Sequence, residues 1–185
     1  MARLPYVEPG SSAEVDDLYA EIDRLGRPVL NLYQVLANQP PALAAFLEMS
    51  RYVRSASSLD PRLRELTILV TARELDSQFE WAAHEAEALR EGLAAETIET
   101  IRHRRGTGGL DEADAVVIEF GREIFTARKV SSASFARALA LFGRRKLIDL
   151  VGLMGNYAAT AAMLTAFDMQ LDPDQPPPLP VQERL

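Results

Sequence analysis

The stretch 59–75, LDPRLRELTILVTAREL, limits what this chain can fold into more than any other. Asp60 is a side-chain acceptor placed to cap a helix, and Pro61 follows at the first helical position, where its missing N–H costs nothing. From 66 to 72 the sequence is apolar nearly all round, as in a helix surrounded by other protein. The run is also as long as a buried strand. The Asp-Pro start, the helix-forming Arg and Glu residues and the helical pattern that follows favour α.

The neighbouring segments agree. Ser11 or Ser12 caps a helix over about 13–25, which Gly26 stops. A short helix follows, then a Pro-Pro break and a helix from near Pro41. SQFEWAAHEAEALREG gives the helix after the central one, closed by Gly92, and its short connection makes the two antiparallel. AAETIETIRHRR is a short helix ending in a basic run and the loop GTGGL. Asp111 opens a helix to about Arg128, SSASFARALALFG a capped helix ending at Gly143, and a last helix runs from about Arg145 to Gln170. No strand alternation, hairpin signal or internal repeat stands out. The expected fold is all-α, a bundle of about seven or eight helices. It divides into an N-terminal arm and helices (1–58), a helical core (59–171) and a proline-rich tail (172–185), together one domain. Ala158, Ala159, Ala161 and Ala162 thin the last helix, so another helix can approach it closely.

Composition removes several kinds of function. The chain has 185 residues and no cysteine, which excludes disulfides, thiolate metal sites and thiol redox chemistry carried by this chain alone. A net charge of −7 argues against nucleic acid, which is bound mainly through Lys and Arg. No leader pattern and no unbroken apolar run of membrane-spanning length is seen, so a cytoplasmic protein without a membrane partner is expected.

The chemistry-bearing residues gather in DSQFEWAAHE, 76–85, with the single tryptophan and one of two histidines. Glu80 and His84 are four apart and share a helix face. Ser77 and Glu80 also have capping-box spacing, in which each side chain satisfies the other's backbone N–H. Trp81, His84 and Ala88 fall on one stripe. Phe79, Ala82, Ala86 and Leu89 fall on another that reads as core-facing. Glu65 lies on the apolar stripe Glu65, Ile68, Leu69, Ala72 of the central helix. A buried carboxylate needs a partner. The antiparallel neighbour offers His84, with Arg62 and Arg64 as alternatives. His103 sits in the basic run RHRRG, which a cation disfavours, so no metal site is expected. No nucleotide-binding loop occurs, because GTGG follows no strand.

The segment LDPRLRELTILVTARELDSQFEWAAHEAEALREGL resembles the carboxymuconolactone decarboxylase family, which includes the alkylhydroperoxidase D-like proteins. R-x-R-E-L, E-W-x-x-H and G-L carry the likeness over about 59–125. ARLPYVEPG and LNLYQVLANQPPALAAF resemble the longer members, and LIDLVGLMGNYAATAAMLTAF their last helix. The resemblance implies an all-α fold and a homo-oligomer, a trimer or hexamer. The family's peroxidase branch uses C-x-x-C, a histidine four residues later and an upstream glutamate. Glu65 and His84 match the last two, while the thiol positions fall on Ser77 and Glu80. The implied activity is therefore the decarboxylase one, on a small carboxylated lactone that needs no cofactor because it carries its own electron sink. In that reading His84 donates the proton and Glu65 orients it. Glu80 is a second carboxylate, either a base or only the cap. Trp81 walls the substrate, beside Ser77, and one of Arg62, Arg64 and Arg73 holds its carboxylate. Another small-molecule enzyme, or a non-catalytic oligomeric member, are the competing expectations.

Overall fold

Helix α4 (Pro61–Glu74) is the centre of the molecule. The computed structural model describes residues 2–24, 28–169, 171 and 174–180. The expected stop at Gly26 and the end of the last helix at Gln170 lie outside those residues. Asp60 accepts from the Leu63 N–H at 2.9 Å and fixes the start of α4. From Glu65 to Arg73 every residue of α4 is buried.

Eight α-helices and no strands are found among the described residues. Before α4 come α1 (Ala13–Arg24), α2 (Asn31–Leu36) and α3 (Pro40–Arg51). Ser12 caps α1, with its hydroxyl 3.2 Å from the Val15 N–H. A π-helical turn, Tyr52–Ala56, extends α3. After α4 come α5 (Gln78–Arg90), α6 (Ala95–Arg102), α7 (Glu112–Arg122) and α8 (Ser132–Ala166). A second π turn, Glu123–Ala127, carries α7 to the left-handed Arg128. Helix α8 is interrupted at Gly143, whose φ of 69° and ψ of 172° break the helical path. The sequence places a helix end there, and glycine takes that conformation without a Cβ clash. By length and composition α8 could cross a membrane, but half of its apolar window is buried inside this bundle.

The main core joins Leu66, Ile68 and Leu69 of α4 to Trp81 of α5, Val117 and Ile118 of α7, and Leu150 and Leu153 of α8. A second cluster packs α1 (Val15, Tyr19, Ile22) on Tyr33 and Leu43. The N-terminal arm is held by backbone bonds from Arg3 to Phe167 and from Val7 to Gln34. The proline-rich tail is docked rather than free. Gln78 both donates to the Leu179 carbonyl (3.2 Å) and accepts from its N–H (2.8 Å), and the Leu179 side chain is buried.

Helices α7 and α4 meet at Gly121. A Cβ there would lie 2.4 Å from Val70 Cγ1 and 3.2 Å from Met154 Cε. Val70 is β-branched and buried, so its side chain has little room to turn. Gly121→Ala is expected to lower unfolding free energy by about 1–3 kcal/mol through overpacking, as read by urea denaturation. A loss below about 0.5 kcal/mol would show that Val70 gives way freely.

Candidate functional site

Two antiparallel helices bring the sequence-separated acid and base together. Glu65 on α4 is 1% exposed. Its Oε2 lies 2.7 Å from His84 Nδ1 on α5, and its Oε1 lies 3.4 Å from Arg64 Nε. Burial raises the Glu65 pKa. The hydrogen bond and charge of His84, then those of Arg64, outweigh that and hold the group below the ordinary carboxylate range. An ionised Glu65 therefore accepts the Nδ1 proton and leaves Nε2 as the nitrogen that exchanges protons.

On the other side of the imidazole stands α8. The Tyr157 hydroxyl lies 3.2 Å from His84 Nε2, and the two rings meet edge-on with centroids 5.2 Å apart. Arg54 donates to the same hydroxyl at 2.7 Å. It comes from the π turn after α3, a local widening found disproportionately at functional sites. Arg64 holds the Arg54 carbonyl at 2.9 Å, tying that turn to α4. Burial raises the Tyr157 pKa, the Arg54 charge works against that and the Glu65 charge adds to it, and the net shift is upward, so the phenol keeps its proton. Burial works against the Arg54 charge, but Tyr157 and Glu65 overcome it and the net shift is upward. The result is a continuous chain Arg54–Tyr157–His84–Glu65.

Arg54, Tyr157 and His84 border a cavity of about 320 Å³, with Glu65 behind His84 and outside the lining. Its polar lining includes Tyr33, Ser50, Arg54, Glu80, His84, Asn156 and Tyr157, and its apolar lining includes Val29, Leu32, Phe46, Phe79 and Leu164. Glu80 is 3% exposed, and neither of its carboxylate oxygens has a hydrogen-bond partner. Burial pushes its pKa up to about 8. The nearby Ser77 hydroxyl opposes that shift in part but makes no hydrogen bond of proper geometry. Glu80 is thus neutral where Glu65 is charged, two carboxyls with different roles set by their surroundings.

The expected capping box does not form. The Ser77 side chain makes no cap bond, and the Ser77 N–H goes to the Ala72 carbonyl at 2.8 Å. Glu80 is turned inward and is not a cap. Trp81 is not a wall of the cavity. It is fully buried in the core, its indole N–H donates to Glu85 at 2.9 Å, and Arg102 lies over its ring. The positions of α5 that border the cavity are Phe79, Glu80, Ala83 and His84, so the stripe with Trp81 and Ala88 serves packing instead. The stripe Phe79, Ala82, Ala86, Leu89 is not core either, since Phe79 is 38% and Leu89 48% exposed.

Ser77 and the three candidate arginines also stand outside the cavity lining. Arg62 forms a two-pronged pair with Asp114 at 2.8 and 2.7 Å. Arg73 binds the Arg102 carbonyl and Asp76, and Arg64 serves Glu65 and Arg54. The arginine at the cavity is Arg54, which sequence reasoning missed together with Tyr157 and Asn156. His103 closes α6, 3.2 Å from Glu99 and away from the site.

Residues 40–119 match the carboxymuconolactone decarboxylase family. That segment, under half of the chain, is similar to this family. Both Glu65 and His84 lie inside the matched span, whereas Tyr157 lies beyond it. Among curated proteins, none matches the sequence. Solved structures of similar fold extend the likeness over almost the whole chain. A Cys-to-Ala variant of the debrominase Bmp8 in complex with 2,3,4-tribromopyrrole aligns with a TM-score of 0.74 at 10% identity, covering 92% of each chain. An uncharacterised peroxidase-related protein from Silicibacter sp. TM1040 aligns at 0.73 with 19% identity, covering 93% of this chain and 91% of that one. A protein of unknown function from Agrobacterium tumefaciens aligns at 0.65 with 17% identity, covering 80% and 96%. At such identities the shared property is the alkylhydroperoxidase D-like helical fold. With no cysteine in the chain, Ser77 and Glu80 offer no thiol at the start of α5.

Proposed function

We propose that this protein is a cofactor-free carboxy-lyase that removes CO₂ from a small carboxylated lactone, with His84 as proton donor. The observation that carries this reading is the 2.7 Å Glu65–His84 pair, which leaves Nε2 as the proton-exchanging atom of a small cavity. In the reaction the bond between ring carbon and carboxylate breaks, CO₂ leaves, and its electron pair is delocalised toward the lactone carbonyl. A proton from His84 Nε2 then goes to carbon, and solvent returns one to the imidazole through the Tyr157 hydroxyl. Arg54, charged and part of the cavity lining, supplies positive potential for the developing oxyanion.

Two further observations support the reading. The absence of cysteine leaves acid–base chemistry as what these side chains can do. The debrominase of like fold was solved with a small ring compound bound, in keeping with a cavity sized for one ring. A homo-oligomer in the cytoplasm belongs to the same proposal. On α8, Ile148 is 70% and Val151 43% exposed, an apolar face left uncovered in the single chain.

The test is incubation of the purified protein with γ-carboxymuconolactone, following CO₂ release and lactone loss. Turnover that disappears in folded His84→Ala supports the proposal. Turnover that survives in this variant removes His84 from the reaction. No turnover by the unaltered protein leaves the competing readings, another small-molecule enzyme on this scaffold or a binding protein without catalysis. The second draws on the closed hydrogen-bond chain, in which Tyr157 already occupies Nε2 at 3.2 Å.

A further inference from the structure

We propose that Glu80 is a hydrogen-bond donor to an anionic oxygen of the bound ligand, and that it makes the cavity selective for a small ring-bearing carboxylate. The inference rests on the reading above that the cavity is the substrate site, and it assigns Glu80 a role opposite to that of a base.

Both Glu80 oxygens are buried and unpartnered, although the residue borders an open cavity. Buried polar groups are nearly always satisfied by protein, water or ligand. The guanidinium in the same lining, Arg54, donates to the Tyr157 hydroxyl and makes no bond to either Glu80 oxygen. Burial keeps the carboxyl protonated to about pH 8. A protonated carboxyl carries one O–H donor. On a residue that borders the cavity, that buried donor lacks an acceptor, and an anionic oxygen brought to it by a ligand is the acceptor that makes the strongest bond to it.

The remaining lining sets the rest of the ligand. Leu32, Phe46 and Leu164 offer apolar contact to a ring, and about 320 Å³ holds one ring with its substituents. A carboxylate beside an ionised Glu80 would be repelled. Beside a neutral one it gains a short charge-assisted bond. The titratable and charged groups near Glu80 are Tyr33, Arg54, His84 and Tyr157 in the lining, with Glu65 behind His84. All of them remain when Glu80 alone is changed, so their contribution to any pH dependence can be separated from its own.

The experiment is calorimetric titration with benzoate, a ring carboxylate ionised throughout the range used, and with benzyl alcohol as the uncharged control. The unaltered protein, Glu80→Gln and Glu80→Leu are compared at about pH 6.5 and about pH 9.5, either side of the Glu80 titration. Benzoate binding to the unaltered protein is expected to weaken by about 10-fold or more at the higher pH, as the donor is lost and a like charge appears. Glu80→Gln keeps an N–H donor and should bind at both pH values, losing that part of the pH dependence. Glu80→Leu should lose benzoate by about 10-fold while still binding benzyl alcohol, which shows that the cavity is intact. Benzoate binding unaffected by Glu80→Leu overturns the proposal, as does the same pH dependence in Glu80→Gln or no benzoate binding to the unaltered protein at the lower pH. None of these outcomes depends on turnover, so failure of the carboxy-lyase reading is seen separately, in the lactone assay.

Discussion

Glu65→Gln is expected to lower lactone turnover by about 10- to 100-fold, His84→Ala by about 10²- to 10⁴-fold, and the pair together by no more than His84→Ala alone. The reason is that the carboxylate acts only through the ring. Glutamine at 65 can still place an oxygen near Nδ1, so the 2.7 Å contact is kept in part while the negative charge is lost. What disappears is the stabilisation of the charged imidazole and the certainty of its tautomer. Removal of His84 takes away the proton donor itself, after which Glu65 has nothing to orient. Rates from a double-mutant cycle, with folding checked by circular dichroism, read this directly. Losses that multiply in the double variant would mean that Glu65 touches the reaction by a separate route.

The second large effect concerns stability. Glu80 ionises in the unfolded chain near the ordinary value of 4.5, but in the fold only at about pH 8. Between those two values the folded state binds the extra proton, so stability falls as pH rises and the full cost is present above about pH 8. Glutamine does not titrate. Glu80→Gln should therefore match the parent near about pH 5 and exceed it near about pH 9 by about 2–5 kcal/mol. At about 2–4 °C per kcal/mol the melting temperature would rise by roughly 5–15 °C at the higher pH. A difference between the two proteins that is the same at both pH values would show that the carboxyl is solvated. Glu65 acts in the opposite sense. Its lowered pKa contributes stability that is present above the ordinary carboxylate range and is lost as pH falls through the folded value.

The fold was legible where one local signal had no competitor. Asp60-Pro61 marked the start of α4, and the apolar run after it could only be a buried element. Gly143 announced the break in α8. Glu65 was legible for the same reason, as a carboxylate on an apolar stripe with few partners in reach. The site was less legible where two signals coincided. Ser77 and Glu80 had the spacing of a cap, but spacing does not say which way a side chain turns, and here burial in the cavity prevails. Trp81 shares a helical stripe with His84, yet that stripe divides, because core and cavity lie within about 100° of each other around α5. Arg54 left no periodic trace. It sits in a π turn, where an extra residue per turn shifts the register that helical spacing relies on. Tyr157 and Asn156 lie at the edge of an alanine-rich segment whose evident message was close packing.

The docked tail has a mechanical consequence. Leu179 is tied by two hydrogen bonds to Gln78, the first residue of α5 and only two positions before Glu80. Arg102 adds a grip on the Pro178 carbonyl. A pull or a bulky fusion applied beyond residue 180 would therefore load the first turn of the helix that carries both Glu80 and His84 before it reached any other helix. For anyone immobilising this protein, the two ends are not equivalent handles. The N-terminal arm is fastened to α2 and the end of α8, whereas the C-terminal segment is fastened to the helix that bears the acid and the imidazole.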